Sequence, residues 1–152
     1  MTDRTTVVEA LRQMVEGDDY RPLYRLIDDL TPEQAVLRPP DAPYSIATIV
    51  WHTWFWANAW NVAIAGAGDP FGGHDPDQSW PEVGAEDWAE TRSLLHASLR
   101  RSQELALTVD MEQPTWHGQT AGHNLLQVAI HTAYHIGQIA LARQERGMWV
   151  PQ

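Results

Sequence analysis

Two histidines four residues apart are the strongest candidates for chemistry in this sequence. His131 and His135 enclose the stretch Thr-Ala-Tyr, and this spacing places both imidazoles on one face of a helix, where they can share a metal ion. Seven histidines in 152 residues give such a pair by chance about 0.3 times, so the spacing alone is weak evidence. Thr132 stands where H-E-x-x-H zinc proteases have their glutamate base, which excludes that chemistry.

A third histidine, on another predicted helix, completes a candidate metal site. His52 has Ile49 and Trp56 at helical spacing, and the other two histidines also lie on a largely apolar stripe. Imidazole nitrogens are costly to bury unless something satisfies them. Three inward histidines from two helices of a bundle can form a metal site; the alternative is that each is a hydrogen-bonded core histidine. We interpret the remaining histidines as surface or packing residues: His74, His96, His117 and His123.

Composition excludes several other kinds of site. The absence of cysteine excludes disulfides, thiolate metal sites and a cysteine nucleophile, so a metal must be bound by nitrogen and oxygen ligands. All basic residues are arginine, which excludes Schiff-base chemistry and a phosphate-binding loop lysine. A net charge of −10 argues against nucleic acid or anionic lipid as a partner. No signal peptide or membrane-spanning run is present, so we expect a cytoplasmic protein.

The first of four predicted helical segments carries little chemical signal. It opens with the capping-box pattern of residues 6–9 and is interrupted by Gly17 and Pro22, where the helix either kinks or breaks. The proline-rich residues 31–43 are predicted to be a connection.

The other three segments contain the candidate histidines and complete the predicted bundle. They cover residues 45 to about 65, 85–109 and 120–147, with Ser45 and Thr120 as N-caps. Four helices predict an all-α four-helix bundle, with residues 1–152 as a single domain. The loop of residues 66–82 reaches roughly 56 Å when extended, whereas a 20-residue helix is about 30 Å long. The second and third helices can therefore run parallel.

The tryptophans are concentrated on the second predicted helix. Four of the eight tryptophans lie within residues 51–60, and their large rings are more typical of a core or a subunit interface than of a ligand cage.

Several short motifs are spread over about 110 residues, from Pro39 to Trp149. They are Ala42-Pro43-Tyr44-Ser45, Trp51-His52, Ser79-Trp80-Pro81, Gly118-Gln119-Thr120, the run from His131 to Ile139, Arg143-Gln144 and Gly147-Met148-Trp149. Together they resemble the DinB/YfiT-like superfamily of four-helix metal proteins, and the run that begins at His131 is the most specific of them.

The resemblance implies an up-down-down-up bundle that often forms a homodimer. It also implies a divalent metal ion held by His52, His131 and His135, with zinc or nickel favoured and iron or manganese as alternatives. Some relatives transfer low-molecular-weight thiols such as bacillithiol, glutathione or mycothiol, or isomerise maleylpyruvate with a thiol. Because ligand histidines must be neutral, we expect protons to compete with the metal below roughly pH 6.

Two functions from different classes remain open. The first is a metal-dependent enzyme acting on a small molecule, either a thiol S-transferase or a hydrolase, in which the metal activates an external thiol or water. Tyr134 and Gln138 then act as proton donor or as support for the ligands, although packing or solvent roles are equally open for both. The second is a non-catalytic stress or interaction module with a structural metal. An open coordination position distinguishes the enzyme from the module.

Overall fold

A computed structural model describes residues 2–17 and 21–149, and the regular elements in these ranges are helices, with no β-strand. An isolated bridge joins Pro114 and Thr120. The α-helices are α1 (Arg4–Glu16), α2 (Leu23–Ile27), α3 (Pro32–Val36), α4 (Ile46–Ala65), α5 (Trp88–Thr108) and α6 (Ala121–Glu145). Single 3-10 turns cover Pro76–Gln78, Ala85–Asp87 and Trp116–Gly118. The predicted all-α class is confirmed.

The N-caps predicted for the two histidine-bearing helices are confirmed. The Ser45 hydroxyl accepts a hydrogen bond from the backbone N–H of Thr48 at the start of α4. The Thr120 hydroxyl accepts one from the N–H of His123 at the start of α6. Both side chains satisfy backbone donors that have no partner within the helix, and they fix where each helix begins.

The predicted N-cap of the first helix is wrong by three residues. Asp3, rather than Thr6, is the N-cap, and α1 begins at Arg4. The Asp3 carboxylate accepts hydrogen bonds of 2.8 Å from both the N–H and the hydroxyl of Thr6. Thr6 therefore lies in the first turn of α1, where its N–H is bonded by the cap. Aspartate and threonine are both good N-cap residues, so the sequence alone does not choose between Asp3 and Thr6.

The first predicted segment breaks rather than kinks. α1 ends at Glu16, Gly17 adopts a left-handed conformation with φ 67°, and the next helix among the described residues is α2. A left-handed glycine is a common end for an α-helix because it lacks a Cβ.

The connection predicted for residues 31–43 contains the short helix α3. Thr31 and Gln34 form a reciprocal capping box at its start, and Pro32 occupies the first turn. A proline in the first turn costs no hydrogen bond, so the proline that suggested a loop instead begins a helix.

The four long helices pack around a shared apolar core. α5 and α6 each contact both α1 and α4. Four side chains of α5 are buried in this core: Trp88, Leu95, Leu99 and Ala106. The start of α1 lies beside the end of α5, because the Arg4 guanidinium donates to the carbonyls of Ala106 and Val109. In the described ranges no helix is long and apolar enough to cross a lipid bilayer.

The connection between α4 and α5 folds back along α4. Its later part reaches the beginning of α4, where the Thr48 hydroxyl donates a 3.0 Å hydrogen bond to the carbonyl of Pro81. Two residues earlier, the carbonyl of Ser79 lies 2.8 Å from His52 Nδ1. The connection therefore covers the part of α4 that carries the candidate metal ligand.

Candidate metal centre

The three candidate histidines meet between α4 and α6. Nε2 of His131 lies 3.2 Å from Nε2 of His52 and 3.0 Å from Nε2 of His135. The ligand atoms of all three lie within 4.8 Å of one another. His52 and His135 are buried, with 6% and 2% of their surface exposed, and His131 is half-buried. The structure thus places the three side chains where they could bind one metal ion.

The second nitrogens of two imidazoles fix how these rings are protonated. A carbonyl oxygen only accepts hydrogen bonds, so Nδ1–H of His52 donates to Ser79. Nδ1 of His135 lies 2.7 Å from Oε1 of Gln138 and likewise donates. Both Nε2 atoms therefore carry lone pairs that face Nε2 of His131. His131 can donate one proton to only one of them, so a pair of facing lone pairs remains.

A metal ion fits this arrangement. An ion that accepts all three lone pairs removes their mutual repulsion. A tetrahedral zinc ion with bonds of roughly 2.05 Å holds its ligands about 3.3 Å apart, close to the measured separations of 3.0 and 3.2 Å. Imidazole also suits nickel, copper and iron. Nδ1 of His131 is buried and has no hydrogen-bond partner in the described ranges, so this ligand is the least supported.

Aromatic rings enclose one side of the histidine cluster. Trp80 stacks on the His52 ring at 3.6 Å and 12°, and Tyr44 stacks on the other face of the indole at 4.1 Å. Trp80 also meets His135 edge-on at 5.7 Å, and Trp60 meets His131 edge-on at 5.4 Å. These rings hold the imidazoles in place and keep water from their faces.

Burial keeps the histidines neutral. Burial lowers the pKa of His52 from 6.5 to about 4, against the opposing effect of its hydrogen bond to Ser79. Burial lowers the pKa of His131 to about 3, and the nearby imidazoles lower it further. The pKa of His135 is also lowered, again mainly by burial. Neutral imidazole is the form that binds a metal, so the protein environment prepares the site for one.

The two residues proposed to assist the ligands form a chain behind His135. Gln138 accepts from Nδ1 of His135 through Oε1, and its Nε2 donates to the hydroxyl of Tyr134 at 3.2 Å. Tyr134 is 64% exposed and reaches His135 through Gln138 and by edge contact of the rings, at 5.1 Å.

Two residues of the cluster were not predicted as site residues from the sequence. Ser79 and Trp80 come from the connection before α5 and orient His52 through a hydrogen bond and a stack. The motif Ser79-Trp80-Pro81 supports the family resemblance, but it does not by itself predict contact with His52. The other four histidines stay outside the cluster. His74, His117 and His123 are exposed, and His96 is half-buried and bonded to Asp28 at 2.8 Å.

Replacing Gln138 with leucine is expected to weaken zinc binding roughly 10- to 100-fold, the usual effect of losing a group that supports a metal ligand. The amide is the acceptor that keeps the His135 proton on Nδ1. Calorimetric zinc titration measures the loss. Gln138→Glu retains an acceptor and should bind zinc at least as well as the parent chain, and Tyr134→Phe should have little effect. An unchanged affinity in Gln138→Leu would remove this residue from the site.

Zinc affinity is expected to change little between pH 7 and pH 5. Three histidines with the ordinary pKa of 6.5 would lose affinity on the order of 10⁴-fold over this range, because protons would occupy them. The lowered pKa values, about 4 for His52 and about 3 for His131, move that competition to near pH 4. We therefore expect a lower onset than the pH 6 that the sequence suggested. Zinc titrations at pH 7, 6 and 5 test this, and a 10⁴-fold loss by pH 5 contradicts it.

The same shifts make the metal-free fold less stable in acid. Below pH 6.5 the unfolded chain binds protons on these histidines that the folded chain does not bind, so stability falls with pH down to about pH 4. Affinities at pH 5 are therefore measured only after circular dichroism shows that the protein is still folded.

The fold and this cluster together define a helical protein with a three-histidine site. The family model of the DinB superfamily matches residues 19–139, which is most of the chain, and the chain belongs to this superfamily. The match includes His52, His131 and His135. A search of curated proteins finds no match to the chain.

Proposed function

We propose that this protein binds a divalent metal ion through His52, His131 and His135 and is an enzyme acting on a small molecule. Zinc or nickel is the favoured ion. The observation that carries the proposal is that, among the described residues, the cluster contains three histidines and no fourth histidine or carboxylate. Three protein ligands leave a coordination position for water or substrate, as catalytic zinc sites do, whereas structural sites are closed by four.

The chain's own residues prepare the site rather than supply a nucleophile. Ser79 and Gln138 hold His52 and His135 in the tautomer that presents Nε2. Trp80 covers the His52 ring and limits the access of water. A bound divalent ion would lower the pKa of a thiol or of water enough to ionise it near neutral pH. Because the chain has no cysteine, a thiol substrate must come from outside, and transfer of a low-molecular-weight thiol or hydrolysis are the proposed reactions.

The proposed architecture is an up-down-down-up bundle. It is supported by contacts at both ends of the helices. Arg4 at the start of α1 bonds to the end of α5, and Arg143 at the end of α6 bonds to Leu26, in the helix that follows α1. The Asn61 amide, near the end of α4, donates to the Ser98 carbonyl in α5. These contacts suit α1 parallel to α6, and α4 parallel to α5.

We also propose a homodimer. An exposed apolar stripe along α6 supports it, since Ile130, Tyr134 and Leu141 are 63%, 64% and 55% exposed and follow helical spacing. Light scattering of the purified protein gives the mass, and a monomer at all concentrations would exclude the dimer.

A metal-binding module without catalytic activity is the second candidate. The position of the site between α4 and α6 favours this candidate. An ion held by His52 and His131 would cross-link these two packed helices and so could serve a purely structural role. The two candidates differ in whether the open coordination position is used.

Assays of the zinc- and nickel-loaded protein distinguish these candidates. We expect transfer of a small thiol to an electrophilic acceptor, or hydrolysis of an activated ester, that falls to background in His135→Ala. His123→Ala is the matched control, because this exposed histidine lies on the same helix, and it should retain full turnover. Equal turnover in His135→Ala and the parent would show that the metal is not catalytic. A site that binds metal but turns over no thiol or ester would support the structural module.

A further inference from the structure

A cavity of about 420 Å³ lies where the connection after α4 meets the start of α5. This volume lies within the range of small-molecule sites. Its lining comes from α4, from the connection and from the first two turns of α5, and it includes none of the three histidines of the metal centre. The cavity is therefore separate from the candidate metal site.

The charges that line this cavity are negative. They are the carboxylates of Asp75, Glu82, Asp87 and Glu90, and no arginine accompanies them among the described residues. In the described ranges Glu82, Asp87 and Glu90 have no ion pair and no side-chain hydrogen bond, and Asp87 does not cap α5 with its side chain. Neighbouring carboxylates repel one another, and a cation relieves that repulsion. Because water also solvates exposed carboxylates, these residues indicate the sign of a ligand but not its presence.

A buried hydroxyl without a partner points to a ligand in the cavity. Thr91 is 3% exposed and lines the cavity, yet its hydroxyl has no hydrogen-bond partner in the described part of the chain. Thr53 and Thr108 instead donate to the carbonyl four residues earlier, the bond that a helical threonine commonly makes. The Thr91 hydroxyl is also not sealed from solvent, as the unpartnered hydroxyl of Thr132 is. It is therefore free to accept a hydrogen bond from a molecule in the cavity.

Two tryptophans add an apolar wall that attracts cations. Trp51 and Trp54 both line the cavity, are half-buried, and meet edge to face at 5.3 Å. The face of an indole ring attracts a positive charge and also offers a large area for apolar contact. Among the described residues, the carboxylates of this cavity form no group of three close enough to hold a metal ion. An organic cation therefore suits the cavity better than a bare metal ion.

We propose that this cavity binds a small organic ammonium ion with an apolar body. The ammonium group donates to the Thr91 hydroxyl and is attracted by the surrounding carboxylates, and the apolar body packs against Trp51 and Trp54. The proposal goes beyond the proposed function and does not rest on it, because the histidines of the metal centre lie outside the cavity.

Calorimetric titration with phenethylamine and with phenethyl alcohol near neutral pH tests the proposal. The two probes have nearly the same shape, but only the amine is charged. We expect the parent chain to bind the amine roughly 10- to 100-fold more tightly than the alcohol, as for hydrogen bonds to charged groups.

Two pairs of variants show whether the amine binds in this cavity. Thr91→Val keeps the shape of the side chain and should bind the amine roughly 10-fold more weakly, because it lacks the hydroxyl, whereas Thr91→Ser should retain most of the affinity. Glu90→Gln should also weaken amine binding. Glu104→Gln is its matched control, because this exposed glutamate of α5 lies outside the cavity and its loss changes the net charge equally.

Four outcomes overturn the proposal: no binding of the amine, equal affinity for both probes, unchanged amine affinity in Thr91→Val, or equal losses in Glu90→Gln and Glu104→Gln. The last would mean that the acidic chain attracts amines without a site. If Thr91→Val does not fold by circular dichroism, the two glutamate variants decide.

The titrations are made on metal-free and on zinc-loaded protein, and the amine affinity should be the same in both. Amine binding that requires zinc would place the amine on the metal ion and overturn the proposal. Amine binding by a chain that does not bind zinc would support the cavity and refute the proposed function alone.

Discussion

Replacing His135 with alanine is expected to reduce zinc affinity by more than roughly 100-fold. Loss of a residue that only supports a metal ligand, such as Gln138, already costs up to about 100-fold. His135 contributes one of three Nε2 atoms, at 3.0 Å from that of His131, and its loss leaves two imidazoles. His131→Ala should have an effect of similar size, because its Nε2 lies between the other two. Zinc competition with a chelator of known affinity measures both losses.

Two controls separate metal ligation from general damage. His123→Ala removes an exposed histidine of the same helix and should bind zinc as the parent does. His135→Gln keeps a polar side chain in a position that is 2% exposed and should fold where alanine leaves a void, yet still lose zinc. Parent-like affinity in a folded His135 variant would mean that the ion binds elsewhere, and the proposed function would fall with it.

The local half of the metal centre could be predicted from the sequence. Four-residue spacing on a helix aligns His131 and His135 whatever the rest of the chain does, and Ser45 and Thr120 are caps whose effect is local. His52 was identified by its apolar neighbours. Whether His52 meets His131 and His135 depends on how α4 packs against α6, and residue spacing within one helix does not determine that packing. The family resemblance is what places the three histidines in one site.

The groups that orient His52 could not be predicted in this way. The Ser79 carbonyl and the Trp80 ring reach His52 because the connection after α4 turns back along that helix. Such a path is fixed by contacts distant in sequence, such as Thr48 with Pro81, and a backbone carbonyl has no sequence signature. Gln138, by contrast, lies three residues from His135, and helical geometry sufficed to place it near the site.

The errors in the fold come from competing local signals and from long-range contacts. Asp3 and Thr6 are both good caps, and only the structure shows that Asp3 bonds to Thr6. Arg143 lies in the last turn of α6, where a cation on the surface would complement the helix dipole. It is instead 2% exposed, because Asp29, 114 residues away, faces it. No local rule predicts that partner.

Replacing Arg143 with alanine is expected to lower the free energy of unfolding by about 3 kcal/mol. The guanidinium donates at 2.6 and 2.9 Å to both carboxylate oxygens of Asp29 and also to the backbone carbonyls of Leu26 and Met148. It therefore joins the end of α6 to the segment that follows α2. Its removal leaves buried carbonyls without donors, and these cost more than the loss of an exposed ion pair. Urea denaturation followed by circular dichroism measures the change.

Variants of the partners show which of these bonds matters. Asp29 is 52% exposed, so Asp29→Asn should cost clearly less than Arg143→Ala, because water solvates the carboxylate and the backbone bonds of Arg143 survive. Arg143→Lys keeps the charge but cannot bond to both carboxylate oxygens and two carbonyls at once, and it should fall between them. Arg101→Ala removes an exposed arginine that pairs with Glu104 and should change stability by no measurable amount. If Arg143→Ala is no less stable than Arg101→Ala, the buried guanidinium does not hold α6 to α2. If Asp29→Asn is as damaging as Arg143→Ala, the ion pair outweighs the backbone bonds.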